Sequence, residues 1–418
     1  NPYLRNLKLM VKINTSSNRI EGCVQLSASK SISNRLLMIK AISNSSFELY
    51  NLSESDDTRI LNQILSNTSL PNEINCHHAG TTLRFLTAYL STINGTFRVF
   101  GSERMHQRPI KPLVDCIRKL GIEIRYLENE GFPPIEILGN ETIQGGELTI
   151  PGNISSQFIS ALLLIAPKLK NGLSLHIIDP ILSTPYIKMT LSLMQEMGIE
   201  YTWDKNTIHV EHQAYSTRNL AAENDWSSSS FIYSLASLST ESKIEIPHLY
   251  SESVQGDFYV SELYSHLGVE TSFHKGGITI KKNSQVSTKV EFNLSDFPDL
   301  ALPYVVSCAG LGVEVYLSGL ESLKIKESDR LVSIKKELSK FNVECEINDH
   351  SIYVPKNQLI KYNGMVIDDY NDHRIPMSIA PLAIKTEGSI FFKDSLVVNK
   401  SYPLFWDDLK KLGFNIIN

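Results

Sequence analysis

Residues 155–163 read Ser-Ser-Gln-Phe-Ile-Ser-Ala-Leu-Leu, a polar turn that runs directly into an apolar helical pattern. Similar turns recur along the chain near Ser31, Gly80, Ser156, Ser228, Asp299 and His373. A second pattern places Gly or Asn between two apolar residues and follows the last five turns after 40 to 43 residues, at Gly121, Gly198, Gly268, Asn342 and Gly413. Glycine or asparagine in this setting is typical of a helix end, and the alternating residues that follow are typical of a half-buried strand.

Two independent patterns with the same spacing indicate an internal repeat of 70 to 77 residues. We predict six units, the first shortened because Gly80 follows Ser31 after only 49 residues. The units divide into two domains of three, since 418 residues exceed one ordinary core. Domain II is predicted over residues 29–223, and a discontinuous domain I over residues 1–28 and 224–418. The alternative is a chance coincidence in a generic α/β chain, which would have to produce five matched pairs.

The composition is that of a globular protein, with 42% hydrophobic and 20% charged residues. No apolar run reaches the roughly 18 residues of a membrane span, and residues 1–5 lack the features of a signal peptide. The net charge of −5 disfavours nucleic-acid binding. We expect no disulfide framework, no metal and a cytoplasmic location, because the cysteines are odd in number, scattered and free of CxxC pairs: Cys23, Cys76, Cys116, Cys308 and Cys345.

Basic residues cluster on the polar turns, where helix N-termini also attract anions. A solvated surface would explain any single cation, but as a set beside Gly, Ser, Thr and Pro they predict binding of phosphate or carboxylate groups. Neither a Walker loop nor a GxGxxG fingerprint is present, which disfavours an NTPase or a dinucleotide enzyme. The clustered cations are Lys30, Arg35, Arg84, Arg104, Arg108, Lys326, Arg330, Arg374 and Lys400.

Two carboxylates stand among these cations and could act as general base and general acid. Asp299 begins a helical pattern, so capping of that helix is its alternative role. Glu327 lies between Lys326 and Arg330, so a structural ion pair is its alternative role. His373 could donate a hydrogen bond to a ligand or cap its helix.

Seven motifs, in this order and spacing, resemble the 5-enolpyruvylshikimate-3-phosphate synthase family over essentially the whole chain. The resemblance implies an α/β fold of two inside-out α/β barrel domains, each built from three ββαβαβ-type repeats with pseudo-threefold symmetry. The motifs are Ser29-Lys30-Ser31-Ile32-Ser33-Asn34-Arg35, Ala79-Gly80-Thr81, Arg108-Pro109-Ile110, Ser155-Ser156-Gln157, Pro298-Asp299, Lys326-Glu327-Ser328-Asp329-Arg330 and Asn371-Asp372-His373-Arg374.

The resemblance also implies the reaction. Members of this family transfer the enolpyruvyl group of phosphoenolpyruvate to the 5-hydroxyl of shikimate 3-phosphate and release phosphate, on the route to chorismate and aromatic amino acids. The transfer is an addition–elimination through a tetrahedral intermediate in a closed cleft between the domains. No cofactor is implied, the partners are the two small-molecule substrates, and we expect a monomer. The family is the target of glyphosate.

The family's site residues carry over to matching positions. The implied catalytic residues are Asp299, Glu327 and Lys30. Asp299 would be the base for the 5-hydroxyl. Glu327 would donate a proton to the methylene carbon and later accept one from the methyl group. The residues implied to bind shikimate 3-phosphate are Lys30, Ser31, Arg35, Ser155, Ser156, Gln157, Ser183, Tyr186, Asp299 and Lys326. Those implied to bind phosphoenolpyruvate are Lys30, Gly80, Arg108, Gln157, Arg330, His373, Arg374 and Lys400.

Four positions depart from the family pattern. Ala28, His78, Phe85 and Ser322 stand where Gly, Asn, Pro and Asn are usual. Ser322 therefore receives no shikimate-phosphate contact, and we expect His78 and Phe85 to alter glyphosate sensitivity.

Two other functions compete with this interpretation. The related transferase that acts on UDP-N-acetylglucosamine usually carries a reactive loop cysteine, whereas Cys116 lies in an apolar helical stretch. A non-catalytic anion-binding relative would fit the four departures but not the retained Lys30, Asp299 and Glu327.

Overall fold

The protein is described by a computed structural model over residues 10–283 and 285–417. Residues 1–9, where we expect no signal peptide, lie outside the described residues, as do residues 284 and 418. Within the described ranges, no helix has both the length and the apolar composition needed to cross a bilayer.

The described residues form α-helices and β-strands. The α-helices are α1 (Lys30–Ser43), α2 (Asp56–Leu65), α3 (Gly80–Ser91), α4 (Lys111–Lys119), α5 (Ser156–Ile165), α6 (Thr184–Glu196), α7 (Trp226–Leu238), α8 (Val260–Ser265), α9 (Ala301–Leu311), α10 (Arg330–Ser339), α11 (Arg374–Ile379) and α12 (Phe405–Lys411). The strands are β1 (Val11–Asn14), β2 (Arg19–Cys23), β3 (Leu49–Tyr50), β4 (Glu73–Asn75), β5 (Gly95–Phe100), β6 (Glu123–Tyr126), β7 (Ile135–Gly139), β8 (Gly146–Pro151), β9 (Leu173–Ile178), β10 (Thr202–Asp204), β11 (Thr207–Val210), β12 (Leu220–Ala221), β13 (Glu241–Pro247), β14 (Val269–His274), β15 (Gly277–Lys282), β16 (Lys289–Asn293), β17 (Glu314–Ser318), β18 (Glu346–Ile347), β19 (Ile352–Val354), β20 (Ile390–Phe392) and β21 (Asn415–Ile417).

The chain divides into two compact units. Unit 1 comprises Asn1–Ser27 and Glu223–Asn418, as far as these ranges are described, and unit 2 comprises Ala28–Ala222. In unit 2, α1, α3 and α5 pack against one another, and in unit 1, α7, α9 and α11 do the same. These central helices are buried along most of their length, which explains their apolar composition.

The polar turns predicted from the sequence are confirmed as the starts of these central helices. Ser155 caps α5 by accepting a hydrogen bond from the N–H of Gln157 at 3.4 Å, and Asp225 caps α7 by accepting one from the N–H of Ser228 at 3.1 Å. Such caps satisfy N–H groups that have no partner inside the helix. Each central helix therefore begins at a polar turn and continues into the core of its unit.

The predicted helix ends are also confirmed. Gly121, Gly198, Gly268, Asn342 and Gly413 all have positive φ. At Gly121 the paired bonds of a left-handed cap are present: its N–H donates to Arg118, and the next N–H donates to Ile117. The same pair of bonds closes α6, α10 and α12.

The four-stranded sheets among the described residues share one topology. Each has two parallel strands at one side, followed by an antiparallel hairpin, in the orders β4-β5-β7-β6, β8-β9-β11-β10, β2-β13-β15-β14 and β16-β17-β19-β18. In β13, Ile244 and Ile246 face the core while Lys243 and Glu245 face outward, as a period of two requires.

Two repeats depart from this four-stranded pattern. The N-terminal β1 lies between β20 and β21 and supplies the strand that the last repeat would otherwise lack. The first repeat is reduced to the parallel pair β3 and β12, in agreement with the shortened first unit that the spacing predicts.

Candidate active site

The predicted site residues of unit 1 meet at the starts of three helices. Asp299 lies in the 3-10 turn Pro298–Leu300 before α9, Arg330 is the first residue of α10, and Arg374 is the first residue of α11. Helix starts carry free N–H groups and a positive dipole end, so an anion is favoured at this place.

Arg330 is the centre of this group and is only 2% exposed. Its Nη1 donates to Asp299 Oδ1 at 2.9 Å, and its Nη2 donates to Glu327 Oε2 at 2.8 Å. Its Nε donates to Asp372 Oδ2, also at 2.8 Å. One planar guanidinium thus fixes the two candidate catalytic carboxylates relative to each other, which the fork geometry of arginine allows and a lysine could not.

Further cations complete the group. Lys400 Nζ lies 2.9 Å from Glu327 Oε1, and Arg374 Nη2 donates to Asp299 Oδ2 at 3.0 Å. Lys326 Nζ lies 3.9 Å from Asp299 Oδ1. The carboxylates therefore stand in a strongly positive setting that could also hold an anionic ligand.

The electrostatics keep Asp299 ionised. Burial alone would raise the pKa of Asp299, but the nearby cations Arg374, Lys326 and Arg330 outweigh it and hold this pKa well below its usual range. Burial likewise favours the neutral form of Arg330, but Asp372, Glu327 and Asp299 raise its pKa above the ordinary value. An ionised carboxylate is the form that can accept a proton.

The alternative roles of these residues can now be assessed. Leu300 occupies the N-cap position of α9, and the carboxylate of Asp299 accepts hydrogen bonds from Arg330 and Arg374. Glu327 does form an ion pair with Arg330, as its alternative role predicted, and it also pairs with Lys400. His373 precedes α11 without a side-chain cap bond, and its buried ring lies with Nδ1 3.8 Å from Asp372 Oδ1.

Asp257 is a buried carboxyl of the same unit. Its carboxylate accepts a hydrogen bond from the Ser227 hydroxyl. Burial and the charge of Asp299 raise the pKa of Asp257 to about 6. A carboxyl whose folded-state pKa is raised destabilises the fold when it ionises, so the penalty is absent below about pH 4 and complete above about pH 6.

We therefore expect Asp257→Asn to raise Tm relative to the original protein at pH 7.5 and to leave it unchanged at pH 4. Asparagine keeps an acceptor for Ser227 and has no charge to bury. Thermal unfolding followed by circular dichroism at both pH values measures the effect, with the exposed Asp204→Asn as control. A loss of stability at pH 7.5, or an equal gain at both pH values, would contradict this assignment.

Unit 2 buries a guanidinium among neutral partners. Arg35 Nε donates to Thr190 Oγ1 at 2.7 Å, and its Nη2 donates to Ser160 Oγ at 3.1 Å and to the Tyr186 carbonyl at 3.2 Å. Its Nη1 donates to the Ser31 carbonyl at 2.9 Å. Burial lowers the pKa of Arg35 to about 10, so this cation would gain from a nearby anion.

The starts of α3 and α5 hold further predicted residues. Gln157 Nε2 donates to Thr81 Oγ1 at 3.0 Å, which joins the two helix starts. Lys30 Nζ lies 3.7 Å from the buried carboxylate of Asp57. Ser183, before α6, has a left-handed backbone and makes no side-chain capping bond.

Two arginines converge on Gly80. A Cβ at Gly80 would lie 2.5 Å from Arg108 Nη1 and 2.7 Å from Arg84 Nη1, closer than real contacts allow. The Nε of the buried Arg108 has no hydrogen-bond partner among the described residues. Two guanidinium groups over a helix N-terminus form a place for an oxyanion.

The structure shows the surroundings of the four departures from the family pattern. Phe85 is buried, and the guanidinium of Arg35 lies 5.5 Å from its ring centroid, while His78 Nε2 lies 3.7 Å from Asp56 Oδ2. Ala28 is buried, and the hydroxyl of Ser322 is buried without a partner among the described residues.

Several functional residues escaped the sequence interpretation. Asp372 is fully buried and binds both Arg330 and the Ser328 hydroxyl, the latter at 3.1 Å. Thr190 and Ser160 hold Arg35, and Asp57 pairs with Lys30. Asp372 stands inside a motif that the sequence analysis quoted, but only its neighbours were assigned a role.

Cys116, the candidate reactive thiol of the competing interpretation, is buried. Its Sγ lies 3.8 Å from the Thr149 carbonyl oxygen, and burial raises its pKa to about 11. A thiol of this kind is a poor nucleophile near neutral pH. Among the described residues, no group of three or more His, Cys, Asp or Glu side chains could hold a metal ion.

Comparisons with known proteins identify the family. A model of the family described as EPSP synthase (3-phosphoshikimate 1-carboxyvinyltransferase) matches residues 14–70 and 65–409. The chain is 43% identical over 404 residues to the 3-phosphoshikimate 1-carboxyvinyltransferase of Bacteroides fragilis strain YCH46, covering 96% of this chain and 98% of that protein. It is 31% identical over 431 residues to the enzyme of the same name from Mannheimia haemolytica, covering 96% and 98%.

A solved structure shows the same fold. The structure of EPSP synthase from Acinetobacter baumannii superposes with a TM-score of 0.81 at 18% identity, covering 98% of this chain and 100% of that chain. The predicted fold class, a two-domain α/β protein of the inside-out type, is thereby confirmed. With a family match over most of its length and a relative at 43% identity, the chain belongs to the EPSP synthase family.

Proposed function

We propose that this protein transfers the enolpyruvyl group of phosphoenolpyruvate to the 5-hydroxyl of shikimate 3-phosphate and releases phosphate, on the shikimate pathway. The observation that carries the proposal is the pair of carboxylates, Asp299 and Glu327, that the single guanidinium of Arg330 holds at 2.9 and 2.8 Å. The reaction needs a base and an acid at the same time, and family membership supplies the substrates.

The chemistry assigns the two carboxylates different tasks. C2 of phosphoenolpyruvate becomes electrophilic only when C3 is protonated, and Glu327 is the proposed donor of that proton. Asp299, kept ionised by Arg374, Lys326 and Arg330, accepts the proton of the attacking hydroxyl. The tetrahedral adduct then loses phosphate, and Glu327 takes a proton from the methyl group to leave the vinyl ether.

The cations bind the two anionic substrates and stabilise the departing phosphate. For phosphoenolpyruvate we propose the residues Lys30, Gly80, Arg108, Gln157, Arg330, His373, Arg374 and Lys400. Support comes from the convergence of Arg108 and Arg84 over Gly80 in unit 2 and from the cations around Glu327 in unit 1.

For shikimate 3-phosphate we propose a binding set centred on unit 2. Arg35 is buried among neutral partners, and Ser155 and Ser156 stand at the start of α5, where N–H groups favour a phosphate. The proposed set is Lys30, Ser31, Arg35, Ser155, Ser156, Gln157, Ser183 and Tyr186, with Asp299 and Lys326 of unit 1.

Gly80→Ala tests the phosphoenolpyruvate set. A methyl group 2.5 Å from Arg108 Nη1 must displace that flexible side chain, so we expect KM for phosphoenolpyruvate to rise about tenfold, in keeping with the worth of a charge-assisted hydrogen bond. KM for shikimate 3-phosphate is expected to stay unchanged. Steady-state kinetics measure both values, with the exposed Gly276→Ala as control. Unchanged KM values in the Gly80 variant would remove Gly80 from the phosphoenolpyruvate set.

Phosphate release tests the function as a whole. The purified protein is given phosphoenolpyruvate with shikimate 3-phosphate, with UDP-N-acetylglucosamine, or alone. Release that requires shikimate 3-phosphate is the expected result. Release only with the UDP-sugar would indicate the related transferase, and binding of shikimate 3-phosphate without release would indicate a non-catalytic relative. That the enzyme works as a monomer in the cytoplasm stays a prediction, to be tested by light scattering and by cell fractionation.

A further inference from the structure

Helix α10 has a second buried charge on the face that carries Arg330. Glu337 lies seven residues after Arg330, two helical turns further on and on the same face. Like Arg330, it is buried, and it is 0% exposed. No step of the proposed reaction uses it. A buried carboxylate is costly unless donors surround it, so its partners indicate its role.

The donors to Glu337 come largely from one segment of the chain. The Tyr370 hydroxyl donates to Glu337 Oε1 at 2.6 Å, and the N–H of Asp368 donates to Oε2 at 3.2 Å. Lys340 Nζ donates to both carboxylate oxygens at 2.9 and 2.7 Å and also to the Val366 carbonyl at 2.8 Å. Residues 366–370 are therefore tied to the C-terminal half of α10.

The same segment then makes an unusual turn. Tyr370 and Asn371 are consecutive non-glycine residues with left-handed backbones, at φ 53° and 54°. Such conformations are sparsely populated and persist only where the surrounding structure fixes them. The N–H of Asp372 donates to the Asp369 carbonyl at 2.8 Å and closes the turn. The Tyr370–Glu337 bond thus holds the first of the two left-handed residues.

The turn ends at Asp372, which returns to the start of α10. Asp372 Oδ2 accepts from Arg330 Nε at 2.8 Å, and its Oδ1 accepts from Arg330 Nη2 at 3.3 Å. The N–H of Arg374 also donates to Oδ1, at 3.1 Å. A closed circuit therefore runs from Glu337 through Tyr370 and Asp372 to Arg330, with one rigid helix between its ends.

We infer that Glu337 and Tyr370 are positioning residues for the enolpyruvyl transfer, since they fix the left-handed turn that places Asp372 against Arg330. The inference rests on the proposed function, in which Arg330 binds phosphoenolpyruvate and holds both catalytic carboxylates. Loss of the Tyr370–Glu337 bond loosens the left-handed turn, so Asp372 would hold the guanidinium of Arg330 less firmly. The expected consequence is weaker binding of phosphoenolpyruvate, while the unit 2 residues for shikimate 3-phosphate are unaffected.

Tyr370→Phe and Glu337→Gln test the inference against a purely structural role. We expect KM for phosphoenolpyruvate to rise about tenfold in Tyr370→Phe, the scale of a hydrogen bond to a charged group, with KM for shikimate 3-phosphate unchanged. The double variant should be no worse than the worse single variant, because both changes break one circuit. Tyr362→Phe is the matched control. Its hydroxyl donates to the Met365 carbonyl at 2.6 Å, just before residues 366–370, and makes no hydrogen bond to Glu337.

Two kinetic outcomes would overturn the inference. The first is folded Tyr370→Phe and Glu337→Gln variants with unchanged KM for phosphoenolpyruvate, even if Tm falls. The second is an equal rise of that KM in Tyr362→Phe. If Glu337→Gln does not fold, Tyr370→Phe decides alone.

If the original protein has no activity, the proposed function fails and the circuit is judged by a crystal structure of Tyr370→Phe. Asp372 displaced beyond hydrogen-bond distance of Arg330 would support the inference, and unchanged contacts would overturn it.

Discussion

In Glu327→Ala and Asp299→Ala variants, kcat is expected to fall by more than about 100-fold each, the scale of general acid–base catalysis. The reaction cannot begin unless C3 of phosphoenolpyruvate gains a proton while the hydroxyl loses one. Within unit 1, Arg330 places Glu327 and Asp299 side by side for these two tasks. Removing either carboxylate should therefore impair turnover more than substrate binding.

Stopped-flow and steady-state assays of phosphate release measure this effect, and thermal unfolding verifies that the variants fold. The exposed Glu321→Gln, six residues before Glu327, is the control and should keep full activity. Near-normal kcat in a folded Asp299→Ala or Glu327→Ala variant would remove that residue from its assigned task.

The second large effect is expected from Arg330→Met. The buried Asp372 and the partly buried Asp299 and Glu327 would lose their shared guanidinium, and breaking a buried ion pair by removing one partner costs about 3–5 kcal/mol. The loss should be largest near neutral pH. Because the pKa of Asp299 is depressed in the folded protein, its ionised form stabilises the fold above about pH 4, and this contribution is lost as the pH falls further.

Denaturation of Arg330→Met and of the original protein at pH 7 and at about pH 2.5 measures this difference. Arg218→Met is the control, since Arg218 and Glu196 form an exposed pair at 2.7 Å, for which about 0–1 kcal/mol is expected. A loss for Arg330→Met as small as that of the control, or one that grows as the pH falls, would contradict the central place of Arg330.

Features set by a few neighbouring residues could be predicted from the sequence. The left-handed helix ends at Gly121 and Asn342 follow from local backbone preference, and the cap at Ser155 follows from its hydroxyl. Spacing alone then indicated the repeats, because each repeat reuses the same local signals.

Contacts between distant parts of the chain could not be predicted in this way. Asp372 meets Arg330 across 42 residues, and Thr190 meets Arg35 across 155 residues. Each pairing exists because packing brings separate helices together, α10 beside α11 and α6 beside α1, and no local pattern encodes which helices will meet. For the same reason the ion pair of Glu327 with its neighbour Arg330 could be predicted from the sequence, whereas its contact with Lys400 could not. The resemblance to the family supplied site residues that local patterns could not.

The most direct test of the account follows the protons of phosphoenolpyruvate. The reaction is run in D2O with shikimate 3-phosphate, and the product is analysed by NMR and mass spectrometry. Addition–elimination passes through a methyl group that gains one solvent proton and then loses one, so deuterium is predicted in the vinyl methylene of the product. Product that forms at full rate without deuterium at that carbon would contradict the account.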